Sequence, residues 1–332
     1  MIRLAVDIHG GDHGPAVVVP ATIAFLERFP DVQVTFFGDT SQTQAWRAIG
    51  SFSNSPRLQW QHGLHVPTDD WSLRQLLHEP GAKDALARML REHQRGDFEA
   101  VVTAADTRTL MIRGRQLLGC LPGVRRPALG AWIPAYTGPV FALDVGASVS
   151  SASTDLLQLA RLGHRFLYAN QYQQTPRVGL LNIGTERHKA KGRLSAVYDA
   201  LADEPGLDFR GYVEPASVFQ HDIDLLVTDG FSGNIMLKSM EASVDYARNR
   251  LTDMLTDHWP GRILGLAMVK LYRSQWRDMS PELQNGAPLL GLDGWVVKSH
   301  AAARVAGFEQ ALIQARHHVR EGVPQYMYSQ IR

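Results

Sequence analysis

Ile2-Arg3-Leu4-Ala5-Val6-Asp7-Ile8-His9-Gly10-Gly11-Asp12-His13-Gly14-Pro15 opens the chain with a strand-length apolar run that breaks into a glycine turn. A helical pattern, Ala21 to Arg28, and a second apolar run, Val32 to Phe37, follow it. Run, turn, helical period and run make a βαβ unit, and such units build a parallel sheet with helices on its faces. The alternation recurs in candidate strands Ala100 to Thr103, Leu129 to Ile133, Val140 to Leu143, Val178 to Ile183 and Leu225 to Thr228. Helical patterns occupy Lys83 to Gln94, Leu110 to Leu118, Asp155 to Tyr168, Leu194 to Leu201, Asn234 to Leu255 and His300 to Arg320. The pattern predicts an α/β fold around a mostly parallel sheet.

The 332 residues suit two domains or one large α/β unit. No repeat, low-complexity linker or charge block divides them, so one continuous unit over 1–332 is expected. Within it, about 235–290 reads as a helical excursion. There the long helical pattern is followed by a second, Arg262 to Arg277, with no strand between. This basic amphipathic stretch suits a core-facing helix, an oligomer interface or an anionic membrane surface.

With 45% hydrophobic and 20% charged residues, the composition excludes a disordered chain. The balance of 34 Lys+Arg against 33 Asp+Glu leaves a net charge of +1, too little to attract nucleic acid. Cys120 is the one cysteine, which excludes an internal disulfide and a zinc-type Cys pair; in Leu117-Leu118-Gly119-Cys120-Leu121 it reads as a core residue. No export signal is visible, and runs such as Ile263 to Val269 fall short of the roughly 20 apolar residues that span a bilayer. A cytoplasmic location is expected. Serine in a G-x-S-x-G turn, H-E-x-x-H, the P-loop spacing and G-x-G-x-x-G are all missing. No covalent nucleophile, catalytic metal or bound cofactor is therefore expected.

The chemistry gathers where candidate strands end. The turn from Asp7 to Pro15 carries Asp7, Gly10, Gly11 and Asp12; its glycines allow close approach to a ligand, or make a plain βα turn capped by Asp12. Gly184-Thr185-Glu186-Arg187-His188-Lys189-Ala190-Lys191-Gly192-Arg193 brings four cationic residues and a histidine after a strand. That cluster suits an anion, or is a solvated loop. Asp229-Gly230-Phe231-Ser232-Gly233-Asn234 opens a long helix, where free N–H groups favour an anion, or where Ser232 or Asn234 caps the helix. Ala104-Ala105-Asp106-Thr107-Arg108-Thr109 likewise leads into a helix. In a parallel sheet these four loops share one side, and ligands bind beyond the carboxyl ends of strands. One crevice is expected to hold them all.

Several of these stretches resemble one family. They are Asp7-x-x-Gly10-Gly11-Asp12-x-x-Pro15, Leu121 to Ala128, Leu143-Asp144-Val145-Gly146-Ala147, Arg177 to Glu186, Asp229 to Asn234, and Asn285 to Leu292. In this order, over nearly the whole chain, they resemble the PlsX family of acyl-ACP:phosphate acyltransferases. The resemblance implies a Rossmann-like three-layer α/β/α sandwich of the isocitrate-dehydrogenase and phosphotransacetylase type, a homodimer and peripheral membrane contact. It also implies a reaction, in which inorganic phosphate attacks the thioester of acyl-acyl carrier protein to give acyl phosphate for phospholipid synthesis. On that resemblance Lys189 is the main electrostatic residue. Asn234 and the N–H groups around Gly233 bind phosphate or the oxyanion, and Asp229 and Asp12 orient them. Asp7, Gly10, Gly11, Asp106, Arg108, Thr185, Glu186, Gly230, Ser232 and His300 complete the expected binding set.

The chain also departs from the family pattern. Thr103-Ala104-Ala105-Asp106-Thr107-Arg108-Thr109 stands for S-A-G-N-T-G-A, Gly146-Ala147-Ser148-Val149-Ser150 for G-A-N-x-D, and Ala301-Ala302-Ala303 for a glycine and serines. Leu77-His78-Glu79-Pro80-Gly81 replaces a basic-serine segment. Arg108 is a candidate replacement for lost positive charge, or a partner for Asp106. The alternatives are a paralogue that binds acyl carrier protein as a scaffold, and a transferase with another acceptor. A dehydrogenase ranks below both, because no dinucleotide fingerprint is present.

Overall fold

The first strand, β1 (Ile2–Asp7), sends alternate side chains into two cores: Leu4 and Val6 join one apolar cluster, Ala5 the other. Period-two geometry demands this of a strand covered on both faces. The structure, a computed structural model, describes residues 1–39, 52, 54–62, 73–78, 84–148, 152–189, 192–220, 222–256 and 284–329. After β1 come α1 (Pro15–Arg28), β2 (Val32–Phe37), β3 (Leu58–Gln61), α2 (Leu73–Leu77), α3 (Ala85–Gln94), β4 (Ala100–Thr103) and α4 (Thr107–Leu117). The middle of the chain forms β5 (Ala128–Ile133), β6 (Val140–Leu143), α5 (Ser153–Ala169), β7 (Arg177–Leu181), α6 (Arg193–Ala202), β8 (Asp208–Val213) and β9 (Leu225–Val227). Then follow α7 (Gly230–Thr256), β10 (Ala287–Leu290), β11 (Val296–Lys298), α8 (Val305–Arg320) and α9 (Val323–Ser329).

The result is a three-layer α/β/α sandwich. Phe25 of α1, Phe166 of α5, Leu201 of α6 and Phe308 of α8 cover one face of the sheet. Leu86 and Leu90 of α3, Leu110 of α4 and Met236 of α7 cover the other. The expected helical excursion begins as α7, while the pattern from 262 to 277 lies outside the described residues. Among the described residues, no helix is long and apolar enough to cross a membrane.

Among the described residues eleven strands form one sheet, ordered β3-β2-β1-β4-β11-β10-β5-β6-β9-β7-β8. Most neighbours are parallel, as expected, but β11 with β10, β10 with β5, and β5 with β6 are antiparallel. These reversals give β6, β7, β8 and β9 the polarity opposite to β1, β2, β3 and β4. The loops after β1 and β4 therefore leave one edge of the sheet, and those after β6, β7 and β9 leave the other. This corrects the expectation that parallel strands place all four loops on one side. That expectation assumed every strand followed a crossover helix, whereas β5 and β6 form a hairpin-like pair.

Candidate active site

At the first edge, Asp7 is fully buried and accepts from the His9 backbone N–H at 2.9 Å and the Thr103 hydroxyl at 2.8 Å. Burial pushes its carboxyl above the ordinary carboxylate range, opposed by those hydrogen bonds. Asp7 thus ties the β1 turn to β4 and has no surface to offer a substrate, contrary to its expected binding role. The glycines beside it serve packing. A Cβ on Gly10 would lie 2.6 Å from the Ala105 nitrogen, and one on Gly11 2.7 Å from the Ala301 carbonyl oxygen. What approaches these glycines closely is the protein's own backbone, which accounts for them without a ligand.

Other residues of this edge also have structural duties. Asp106 is the N-cap of α4 and accepts from the Thr109 N–H at 2.9 Å. Asp12 is exposed and its N–H donates to the Ala301 carbonyl at 2.9 Å. Arg108 is exposed, with no ion pair to Asp106 among the described residues. His300 donates its N–H to the Asn285 side-chain oxygen at 2.9 Å, and Asn285 also donates to Ser299 and to the Gly307 carbonyl, both at 2.8 Å. Lys298 lies beneath this group, with Nζ donating to the Ser299 carbonyl at 3.1 Å. Burial lowers its affinity for a proton, and the charges of Asp106 and Asp12 oppose that.

At the second edge, Asp144 follows β6 directly and is 1% exposed. Its Oδ1 accepts from the N–H groups of Leu129, Gly146 and Ala147 at 3.2, 3.0 and 2.8 Å. Its Oδ2 accepts from the N–H and the hydroxyl of Ser148, both at 2.9 Å. Burial raises its proton affinity, and these donors oppose the rise. The turn that Asp144 holds packs on the start of α7. Cβ atoms on Gly230 and Gly233 would fall 2.3 Å from the Ser148 carbonyl and 2.1 Å from the Asp144 carbonyl.

The α7 N-terminus is less open than expected. Gly230 N–H donates to Ser148 Oγ at 3.2 Å, Ser232 N–H to Asp229 Oδ1 at 2.9 Å, and Gly233 N–H to the Asp229 carbonyl at 2.9 Å. Asp229 is thus the side chain that caps this turn, in place of Ser232 or Asn234. The N–H of Gly233, expected to meet phosphate, is already engaged inside the helix. Asn234 stays half-buried, 3.5 Å from where a Cβ on Gly146 would lie.

Lys189 ends a short 3-10 turn, Arg187–Lys189, after β7. Its ammonium pairs with Glu186 at 2.7 Å, and that hydrogen bond keeps the lysine above and the glutamate below its usual pKa. The lysine folds back over Gly184, where a Cβ would stand 2.4 Å from its Cδ. Asn182 donates to the Gly184 carbonyl at 2.9 Å and braces the turn. Thr185 is exposed on it. A groove of ≈ 1040 Å³ opens beside these loops, lined by Asn182, Thr228 and Asp229 and along one wall by α7, where Met236, Met240 and Val244 lie among Ser239, Ser243 and Arg248.

The side-chain and backbone contacts described here fall into three groups: Asp7, Gly10, Gly11, Asp12, Asp106 and His300 at the first edge; Lys189 and Glu186 on the Gly184 turn; and Asp229, Gly230, Ser232, Gly233 and Asn234 at the start of α7, on the same edge as the Gly184 turn. Asp144, Ser148, Asn182 and Lys298 escaped the sequence reading as site residues. A signal existed for Asp144, since an acid ends an apolar run there as it does at Asp7 and Asp229.

The fold resembles that of a phosphotransacetylase from Streptococcus pyogenes, with a TM-score of 0.60 at 14% identity, over 96% of this chain and 94% of that one. The family described as "Fatty acid synthesis protein" matches residues 2–326. The chain belongs to that family, the PlsX family. A relative named phosphate acyltransferase in Teredinibacter turnerae is 34% identical over 325 residues, covering 98% of this chain and 97% of the relative. Another of that name in Pseudomonas aeruginosa PAO1 is 35% identical over 329 residues, covering 99% of this chain and 97% of the relative.

Proposed function

We propose that this protein is a phosphate acyltransferase that moves a fatty acyl group from acyl-acyl carrier protein to inorganic phosphate. The observation that carries the reading is the second edge. There a cationic turn and an amide leave the same edge of the sheet beside a mainly apolar groove. A phosphate oxygen attacks the thioester carbonyl, the new C–O bond forms and the C–S bond breaks. The proton of hydrogen phosphate ends on the departing thiol, so acyl phosphate and free thiol balance the reaction without a protein base. The protein supplies position and charge. Lys189, released from Glu186, neutralises phosphate or the oxyanion, Asn234 donates to the same oxygens, and Asp229 keeps the α7 turn in register. A homodimer and peripheral membrane contact belong to the same reading, supported by apolar side chains that α7 leaves in water, Tyr246 and Met254 at 72% and 62% exposure.

The test mixes the purified protein, acyl-acyl carrier protein and phosphate, and follows acyl phosphate and free thiol together. Phosphate-dependent release of both is expected. Carrier-protein binding without release would favour the scaffold alternative, and thiol release without phosphate another acceptor. Lys189→Ala is expected to lower turnover at least about a hundredfold, the scale of losing one preorganised oxyanion donor. An unchanged rate removes Lys189 from the site.

A further inference from the structure

We propose that the groove beside α7 holds the hydrocarbon tail of the acyl donor, with the outer half of α7 setting the longest chain accepted. The carbonyl end lies at Thr228 and Ser232, and the methyl end points toward Ala247 and Leu251. This rests on the acyl-transfer reading above and adds a location and a length gauge. At ≈ 1040 Å³ the groove stands at the top of the range of about 300–1,000 Å³ usual for small-ligand sites. Asn182, Thr228, Asp229 and Ser232 line it beside the candidate reaction site; further along α7 Ser239, Ser243 and Arg248 line it too, with Arg248 paired to Asp245 at 3.0 Å. Met236, Met240 and Val244 of α7 share the groove with Leu194, Pro215 and Phe219.

Ser243 lies on this wall, but its hydroxyl donates to the Ser239 carbonyl at 2.7 Å, and the Arg248 guanidinium is paired with Asp245, so the stretch from Met236 to Val244 offers mainly apolar contact. The amide-bearing arm that links a thioester to its carrier would lose hydrogen bonds here, whereas a methylene chain loses none. A chain would also cover apolar surface now in water, since Phe231 and Ile235 are 57% and 51% exposed at the groove. From Ser232 to Leu251 the helix advances nineteen residues, about 28 Å at roughly 1.5 Å each. That exceeds the length of an extended stearoyl chain.

The experiment compares acyl donors from octanoyl to stearoyl on the wild-type chain, on Ala247→Trp at the far end and on Met240→Trp nearer the carbonyl end. The wild type is expected to accept palmitoyl and stearoyl donors fully. Ala247→Trp should raise the octanoyl-to-stearoyl rate ratio about tenfold, and Met240→Trp should move the cut-off to shorter chains. A second readout needs no turnover: binding of cis-parinaric acid, a fluorescent long-chain fatty acid, which Met240→Trp should weaken about tenfold. If the probe binds and the variant blocks it while no donor reacts with phosphate, the groove stands and the reaction fails. If phosphate-dependent turnover is present but both variants leave the chain-length profile and probe binding unchanged, the groove assignment is overturned. Equal loss at every chain length would place the linker arm there and overturn it as well.

Discussion

His318 on α8 is fully buried, edge-on to the rings of Phe166 and Trp295, and neither ring nitrogen has a hydrogen-bond partner among the described residues. Burial drives its pKa from 6.5 down to about 3, so the folded protein keeps it neutral. The stability linked to this group is present above pH 6.5 and is lost as pH falls from there toward 3, at about 1.4 kcal/mol per pH unit. His318→Phe should therefore flatten the acid side of a plot of unfolding free energy against pH, and should be no less stable than wild type at pH 7. Parallel curves for the two proteins between pH 6 and 4 would refute this. At this scale the sequence showed which residue types end the strands, but not their orientation. Asp7 and Asp229 both follow apolar runs; one is sealed under the β1 turn and the other lines a groove.

Among the elements, α2 is anchored to α4 by a buried cation. Arg113 of α4, 1% exposed, donates to the carbonyls of Leu76 and His78 at 2.8 and 3.0 Å. It also stands 3.1 Å from Asp84, the N-cap of α3, whose other oxygen accepts from the Ala87 N–H at 2.8 Å. Arg113→Met leaves a buried carboxylate and two carbonyls without their donor, which should cost about 3–5 kcal/mol in urea unfolding. The double variant with Asp84→Asn should recover part of that loss, and additive losses would deny the coupling. Long, strongly periodic elements were legible in the sequence, while β3, β8, β10 and β11 were not read. β10 and β11 are four and three residues long, and β10 carries Pro288, a residue that discourages a strand reading. β8 mixes Asp208 and Arg210 into its alternation, as the last strand of the sheet can. α1 begins at Pro15, earlier than its pattern suggested, because Pro20 inside it reads as a break.

For the whole molecule, exposed Tyr246 and Met254 on α7 predict self-association. Sedimentation equilibrium should return twice the chain mass, and Tyr246→Glu with Met254→Glu should return the monomer; an unchanged dimer would move the interface elsewhere. Residue order alone was enough for the α/β class, the helices that flank the sheet, and the acid- and glycine-rich turns at strand ends. Those are local properties, written in hydrophobic period and turn chemistry. The folded chain was needed for strand polarity, because a strand has the same apolar pattern whichever way its neighbour runs, and hydrogen bonding across β10, β5 and β6 is what reverses the sheet. It also decided which glycines face protein backbone and which donors of α7 are already taken, since both depend on residues far apart in the chain meeting at one edge.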